Sequence, residues 1–147
     1  MQKIIFDSGV KEFELGSGVL RFNPADPNVY ARFMDAADKI TQIEQELVEK
    51  GKAMEATGET VIRIMEEADK RTKDLLNEVF GNGNDFHSIL GGTSLLAVGA
   101  NGERVITNLF AALTPIMVNG AKKCASYKVE QARGNRAQRR ARQKKHH

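Results

Sequence analysis

Residues 26–50 read DPNVYARFMDAADKITQIEQELVEK, and this stretch decides the fold. Asp26 can accept an orphan backbone N–H as an N-cap, and Pro27 fits the first helical position, where a missing N–H costs nothing. From there Tyr30, Phe33, Ala37, Ile40, Ile43 and Leu47 recur every three or four residues, while Asp, Glu, Lys and Gln fill the other positions. That spacing predicts an amphipathic helix to about Lys50. Gly51 and Gly58 bracket a weak stretch. A second helix is expected from about Glu59 to Phe80, with Val61, Met65, Ala68, Leu75, Leu76 and Val79 on one face and Thr72 interrupting the stripe. Two such helices joined by a glycine-bearing turn make an αα-hairpin or short coiled coil. Each alone would be marginal, so the apolar stripes need partners.

Upstream, Lys3-Ile4-Ile5-Phe6, Phe13-Glu14-Leu15 and Val19-Leu20-Arg21-Phe22 are short β-favouring runs separated by Ser-Gly and Gly-Ser-Gly. They predict a hairpin or a three-stranded meander. Such a hairpin is too small to stand alone and must lie on something or pair with another chain. Downstream, Gly81-Asn82-Gly83-Asn84 ends the second helix, and Asp85–Leu90 reads as a short apolar-bearing turn with room for one helical turn. A glycine-punctuated loop follows around Leu95-Leu96-Ala97-Val98. A third long helix begins near Glu103, and Pro115 should kink or restart it. The expected organisation is one domain over 1–132: β-rich 1–22, a helical pair 27–80, a glycine-rich turn and loop 81–102 and a C-terminal helix 103–130. A basic tail, 133–147, completes it. The fold class is mainly α with a small N-terminal β-hairpin or meander (α+β), a helical bundle with an αα-hairpin and a disordered or locally helical basic tail.

At 147 residues the chain is long enough to bury a core without disulfides, and its single cysteine, Cys124, excludes an intrachain disulfide framework and a multi-cysteine zinc site. No apolar run approaches the roughly 18 residues that span a bilayer. Met1–Asp7 reaches an acid too early for a secretion leader, so a cytosolic protein is expected. The net charge of +3 conceals an asymmetry: residues 1–121 hold 12 Lys/Arg against 18 Asp/Glu, and residues 122–147 hold 10 against one. An acidic body does not suit a general nucleic-acid-binding domain. The tail residues Arg133, Arg136, Arg139, Arg140 and Arg142 could meet phosphates or an acidic protein, but no aromatic residue interleaves them for base stacking.

Enzyme chemistry finds little footing. His87 has Asp85 and Ser88 beside it, which is not the spacing of a triad. Gly81-x-Gly83 and Gly99-x-x-Gly102 match neither a dinucleotide fingerprint nor a P-loop and are better explained as turns. Cys124 between Lys123 and Lys128 could have a lowered thiol pKa, although a small packing residue is the more economical role. No cluster has ligand spacing for a metal, and no cofactor is expected.

The order of features resembles the tail assembly chaperones of long-tailed phages and prophages of Gram-positive bacteria. The resemblance rests on the β-rich start up to Phe22 and on a charged helical pair ending in Leu75-Leu76-Asn77-Glu78-Val79-Phe80-Gly81. It continues in the glycine-rich turn Asn82 to Gly92 and the apolar segment Asn108-Leu109-Phe110-Ala111-Ala112-Leu113-Thr114-Pro115-Ile116. The ending Asn135-Arg136-Ala137-Gln138-Arg139-Arg140-Ala141 is similar to that of small phage tail proteins. Together these cover most of the chain. The resemblance implies a non-enzymatic protein of the bacterial host cytoplasm. Such proteins coat the long, helical tape measure protein and keep it soluble before the tail tube polymerises around it. It also implies a homo-oligomer, with the tail tube protein as a second partner and neither nucleic acid nor membrane as a target. On that expectation Leu109, Phe110, Leu113, Ile116 and Met117 would bind the client. Tyr30, Phe33, Ile40, Ile43 and Leu47 would serve the bundle or self-association. The competing expectations are a nucleic-acid-binding accessory protein that uses the basic tail, and a structural component of the tail.

Overall fold

A computed structural model describes the backbone of residues 1–53, 57–81 and 83–145, and the side chains of residues 1–52, 57–81 and 83–127. The order of elements is β1 (Lys11–Leu15), β2 (Gly18–Phe22), α1 (Pro27–Ala53), α2 (Gly58–Phe80), α3 (Phe86–Ile89) and α4 (Val105–Lys145). The mainly helical class with a small N-terminal hairpin is therefore what the chain adopts.

β1 and β2 pair antiparallel with Phe13 opposite Leu20 and Leu15 opposite Gly18. Only Gly16 and Ser17 connect them. Gly16 has φ +58°, which a two-residue turn of the II′ kind demands at its first position. Alternation sends Phe13, Leu15, Leu20 and Phe22 inward, and the Phe13 and Phe22 rings stack at 5.0 Å. On the outer face Arg21 and Glu12 pair across the strands at 2.9 Å. The third strand expected at Lys3–Phe6 does not form. Asp7 accepts the Gly9 N–H, Gly9 takes φ +75°, and the Asn23 amide donates to the Ser8 carbonyl. This turn leads residues 1–6 off the sheet, where they find no strand to pair with.

α1 starts as its sequence requires. The Asp26 carboxylate accepts the Asn28 N–H at 2.9 Å and the Asp26 carbonyl accepts that of Tyr30. Its buried face is Val29, Phe33, Ala36, Ile40 and Ile43. That is slightly rotated from the expected stripe, so Tyr30, Ala37 and Leu47 are only half-buried. α2 packs on α1 and buries Ala68, Thr72, Lys73, Leu76, Val79 and Phe80. Thr72 does not break the stripe, because its hydroxyl donates to the Ala68 carbonyl at 2.7 Å and the methyl side can pack.

α4 runs through Pro115 as one helix and does not restart there. Among the described residues no side chain caps its first N–H groups. The loop before it supplies carbonyls instead: Val105 N–H donates to Ala97 and Ile106 N–H to Leu95, each at 2.8 Å. Further along, Gly120 sits against the turn before α1, and a β-carbon there would overlap the Pro24 carbonyl. Only glycine allows the helix to pass so close.

The core lies where the hairpin, the first half of α1, the end of α2, α3 and the first half of α4 meet. Leu76, Phe86, Leu95 and Met117 are entirely enclosed. One side chain joins the hairpin to the helices. The buried amide of Asn84 accepts the Arg21 N–H at 2.8 Å, donates to the Arg21 carbonyl at 2.7 Å and donates to the Phe80 carbonyl at 3.1 Å. It pairs with β2 as a neighbouring strand would, and it closes the C-terminus of α2 in the same contact.

Candidate partner-binding surface

The family resemblance implied a client-binding role for Leu109, Phe110, Leu113, Ile116 and Met117. In the fold, Leu109, Leu113 and Met117 are buried in the core, and Phe110 and Ile116 are half-buried against it. The Phe110 ring stacks on Phe33 of α1 at 4.9 Å. These side chains hold α4 to the body, which removes Leu109, Leu113 and Met117 from the surface. Phe33, Ile40 and Ile43 are likewise core residues, with Tyr30 and Leu47 packed beside them, so this set serves the bundle. Phe33 and Ile40 share the main core with Leu109, Leu113 and Met117, whereas Ile43 and Leu47 pack in a second, smaller cluster with Ala68 and Leu96.

What α4 leaves outside is different in kind. Residues 105–121 contain no charged side chain. The exposed positions are Thr107, Ala111, Ala112, Thr114, Pro115 and Asn119. At 3.6 residues per turn, positions 107, 111, 112, 114, 115 and 119 fall along one side of the helix. The solvent faces of α1 and α2 carry the Asp, Glu, Lys and Arg normal for a helix in water. On α4 the equivalent face is small and neutral, with the edges of Phe110 and Ile116 beside it. Small residues let a second helix approach to the short end of the usual 8–10 Å axis separation. Pro115 has no N–H, so the Ala111 carbonyl lacks its helical donor and is an acceptor on the same face.

A second surface lies at the far end of the α1–α2 pair. Leu47, Val48, Val61, Ile64 and Met65 line an apolar groove of about 450 Å³ that reaches the start of α4. Glu44, Glu103 and Arg104 stand on its rim. The Arg104 guanidinium is engaged by the Leu96 carbonyl at 2.7 Å.

The groups that could suggest catalysis are occupied separately. The His87 imidazole pairs with Asp74 at 3.0 Å, and the Ser88 hydroxyl donates to Asp85 at 3.1 Å. Asp85 caps α3 by accepting the His87 N–H, and that backbone bond holds its carboxyl below the ordinary range. The stability this cap supplies is present above the ordinary carboxyl pKa and is lost as pH falls through the lowered value. Glu46 is also held low, by the hydrogen bond and charge of Arg71 at 3.0 Å. Both carboxylates are at the surface, where such pairs add little. Cys124 is a half-buried free thiol on α4. Among the described residues no group of His, Cys, Asp or Glu could hold a metal ion, and no helix is long and apolar enough to cross a membrane. The helix expected over 103–130 continues as α4 through the segment expected to be a separate basic tail, up to Lys145, while the side chains of Arg133, Arg136, Arg139, Arg140 and Arg142 lie outside those described.

Sequence reasoning missed the neutral face of α4 because it looked for large apolar residues. The available signal was the absence of charge from 105 to 121, not the presence of leucine. Comparison of the chain with family models, curated proteins and solved structures returned no match.

Proposed function

We propose that this chain is a tail assembly chaperone of a long-tailed phage or prophage, which masks the apolar helices of a tape measure protein in the host cytoplasm before the tail tube forms. One observation carries the client-binding part of this reading: residues 105–121 of α4 expose a neutral face in a protein whose other long helices expose charge along their length. A solvent-facing helix without charge gains from a partner helix, and small side chains at 111 and 112 suit helix-on-helix docking. The client then lies on the outer face of α4, over Ala111, Ala112, Thr114 and Pro115, with the exposed edges of Phe110 and Ile116 contributing. The charged faces of α1 and α2 keep the complex in solution. The phage assignment itself comes from the order of sequence features given above.

The test is co-expression with the long, helical, tape-measure-like protein of the same genome, followed by purification in high salt. The expected result is a soluble complex that survives salt, because apolar contacts are not screened. A chain truncated after residue 132 should rescue its client equally well. If the client stays insoluble and this chain elutes alone, the reading fails. Rescue that is lost at high salt or on truncation would move the binding site to the basic tail.

A further inference from the structure

Among the described residues, Ile4, Ile5 and Phe6 form the longest run of exposed large apolar side chains. Ile4, Ile5 and Phe6 are 86%, 83% and 76% exposed in one uninterrupted run. Isolated exposed apolar residues are ordinary, but three large ones in sequence on an arm outside any helix or strand mark a contact site. The arm is not loose at its root. Asn23 holds the Ser8 carbonyl at 3.0 Å and Asp7 accepts the Gly9 N–H at 2.8 Å, so the arm leaves the body at a fixed point beside the start of α1.

The groove lined by Leu47, Val48, Val61, Ile64 and Met65 is the complementary feature. It is apolar along its floor, and Val48 on its wall is 57% exposed. Glu44 and Glu103 on the rim have no ion pair among the described residues, whereas the arm carries Lys3 directly before its apolar run. Arg104, the rim cation, donates to the Leu96 carbonyl and keeps its charge, so the rim carries two carboxylates against one cation.

The chain's own arm does not reach this groove. Ile4 is four residues from the anchored Ser8, a span of roughly 13 Å when fully extended. The groove begins on α1 at Glu44, which is 17 residues beyond Pro27 and so roughly 26 Å along the helix. Arm and groove belong to opposite ends of the α1–α2 pair.

We infer that the arm of one copy, Lys3–Phe6, docks in the α1–α2–α4 groove of a second copy, with Ile4, Ile5 and Phe6 on the apolar floor and Lys3 at Glu44 and Glu103. The contact is heterologous, because different surfaces meet. Each copy retains an unused arm or groove, so addition continues head to tail. The contact meets the outer face of α4 only at Thr107, ahead of the Ala111–Pro115 stretch assigned to the client, and it stands or falls apart from the function proposed above.

Sedimentation velocity of the full chain over a concentration series tests this. The wild type should show a sedimentation coefficient that rises with concentration. An arm variant, Ile5→Asp with Phe6→Asp, and a groove variant, Val48→Glu, should each lose that rise and keep the wild-type circular dichroism, since all three positions are exposed. Mixing the two variants is the decisive arm. The first retains a working groove and the second a working arm, so the mixture should form a one-to-one dimer and nothing larger. A wild-type chain that stays monomeric overturns the proposal, including the case in which its arm folds onto its own groove. Association that persists in both variants, or a mixture that forms no dimer, overturns it equally.

Discussion

Replacing Asp69 by alanine is expected to destabilise the chain by about 3–5 kcal/mol, the usual cost of leaving one partner of a buried ion pair alone. Lys73 is one turn further along α2, and its side chain is only 5% exposed. Its ammonium lies 2.9 Å from one Asp69 oxygen. The other oxygen accepts the Leu95 N–H at 2.7 Å. Leu95 is entirely buried, and its carbonyl caps the start of α4 by accepting the Ile106 N–H. One carboxylate therefore neutralises a buried cation and fixes the loop that starts the last helix. Alanine removes both roles. Replacing the pair together, Asp69→Asn with Lys73→Met, should recover a large part of the loss, because no unpaired charge remains and asparagine can still accept from Leu95. Urea denaturation measures both. A single-variant loss below about 1 kcal/mol would mean that Lys73 reaches water along its flexible stem.

The second large effect separates the two faces of α4. Leu113→Asp should abolish cooperative folding. Leu113 is 4% exposed in the main core, and an isolated carboxylate there has no partner to offset its desolvation. Even Leu113→Ala should cost about 2–5 kcal/mol, the range for emptying a packed leucine site. The neighbouring Ala112 is exposed, and a charge there should change stability by no more than about 0.5 kcal/mol. Thermal melts of the variants decide the matter. If Leu113→Asp melted like the wild type, the stripe of Leu109, Leu113 and Met117 would be a surface and the packing described above would be wrong.

The helical frame was legible because its signals are local. Asp26-Pro27 starts α1, Phe80-Gly81 ends α2, and the 3.6-residue spacing of apolar side chains marks both. Gly16-Ser17 closes the hairpin by turn chemistry alone. The features that join these elements were not legible, because they depend on pairs distant in sequence. Asn84 reads as a turn residue until it is seen against Arg21, 63 positions away. Asp69 and Lys73 read as one more surface pair until Leu95 closes over them. Lys3–Phe6 has strand composition, yet composition does not supply a strand to pair with, and the turn at Asp7–Gly9 leads it elsewhere. The same limit applied to the binding surface. Periodicity finds the stripe that is most apolar, and in a small bundle that stripe is consumed by the core. The outer face of α4 is marked only by the charges it lacks.

The most direct test of the proposed role is therefore a binding titration with a doubly substituted face, Ala111→Glu with Ala112→Glu. The titrant is a synthetic amphipathic helix taken from the tape-measure-like protein of the same genome, and calorimetry reads the heat of binding. The wild type should bind the peptide in high salt, and the variant should keep its wild-type melting temperature while losing the heat of binding. Equal binding by wild type and variant would contradict the assignment of the client to the neutral face of α4.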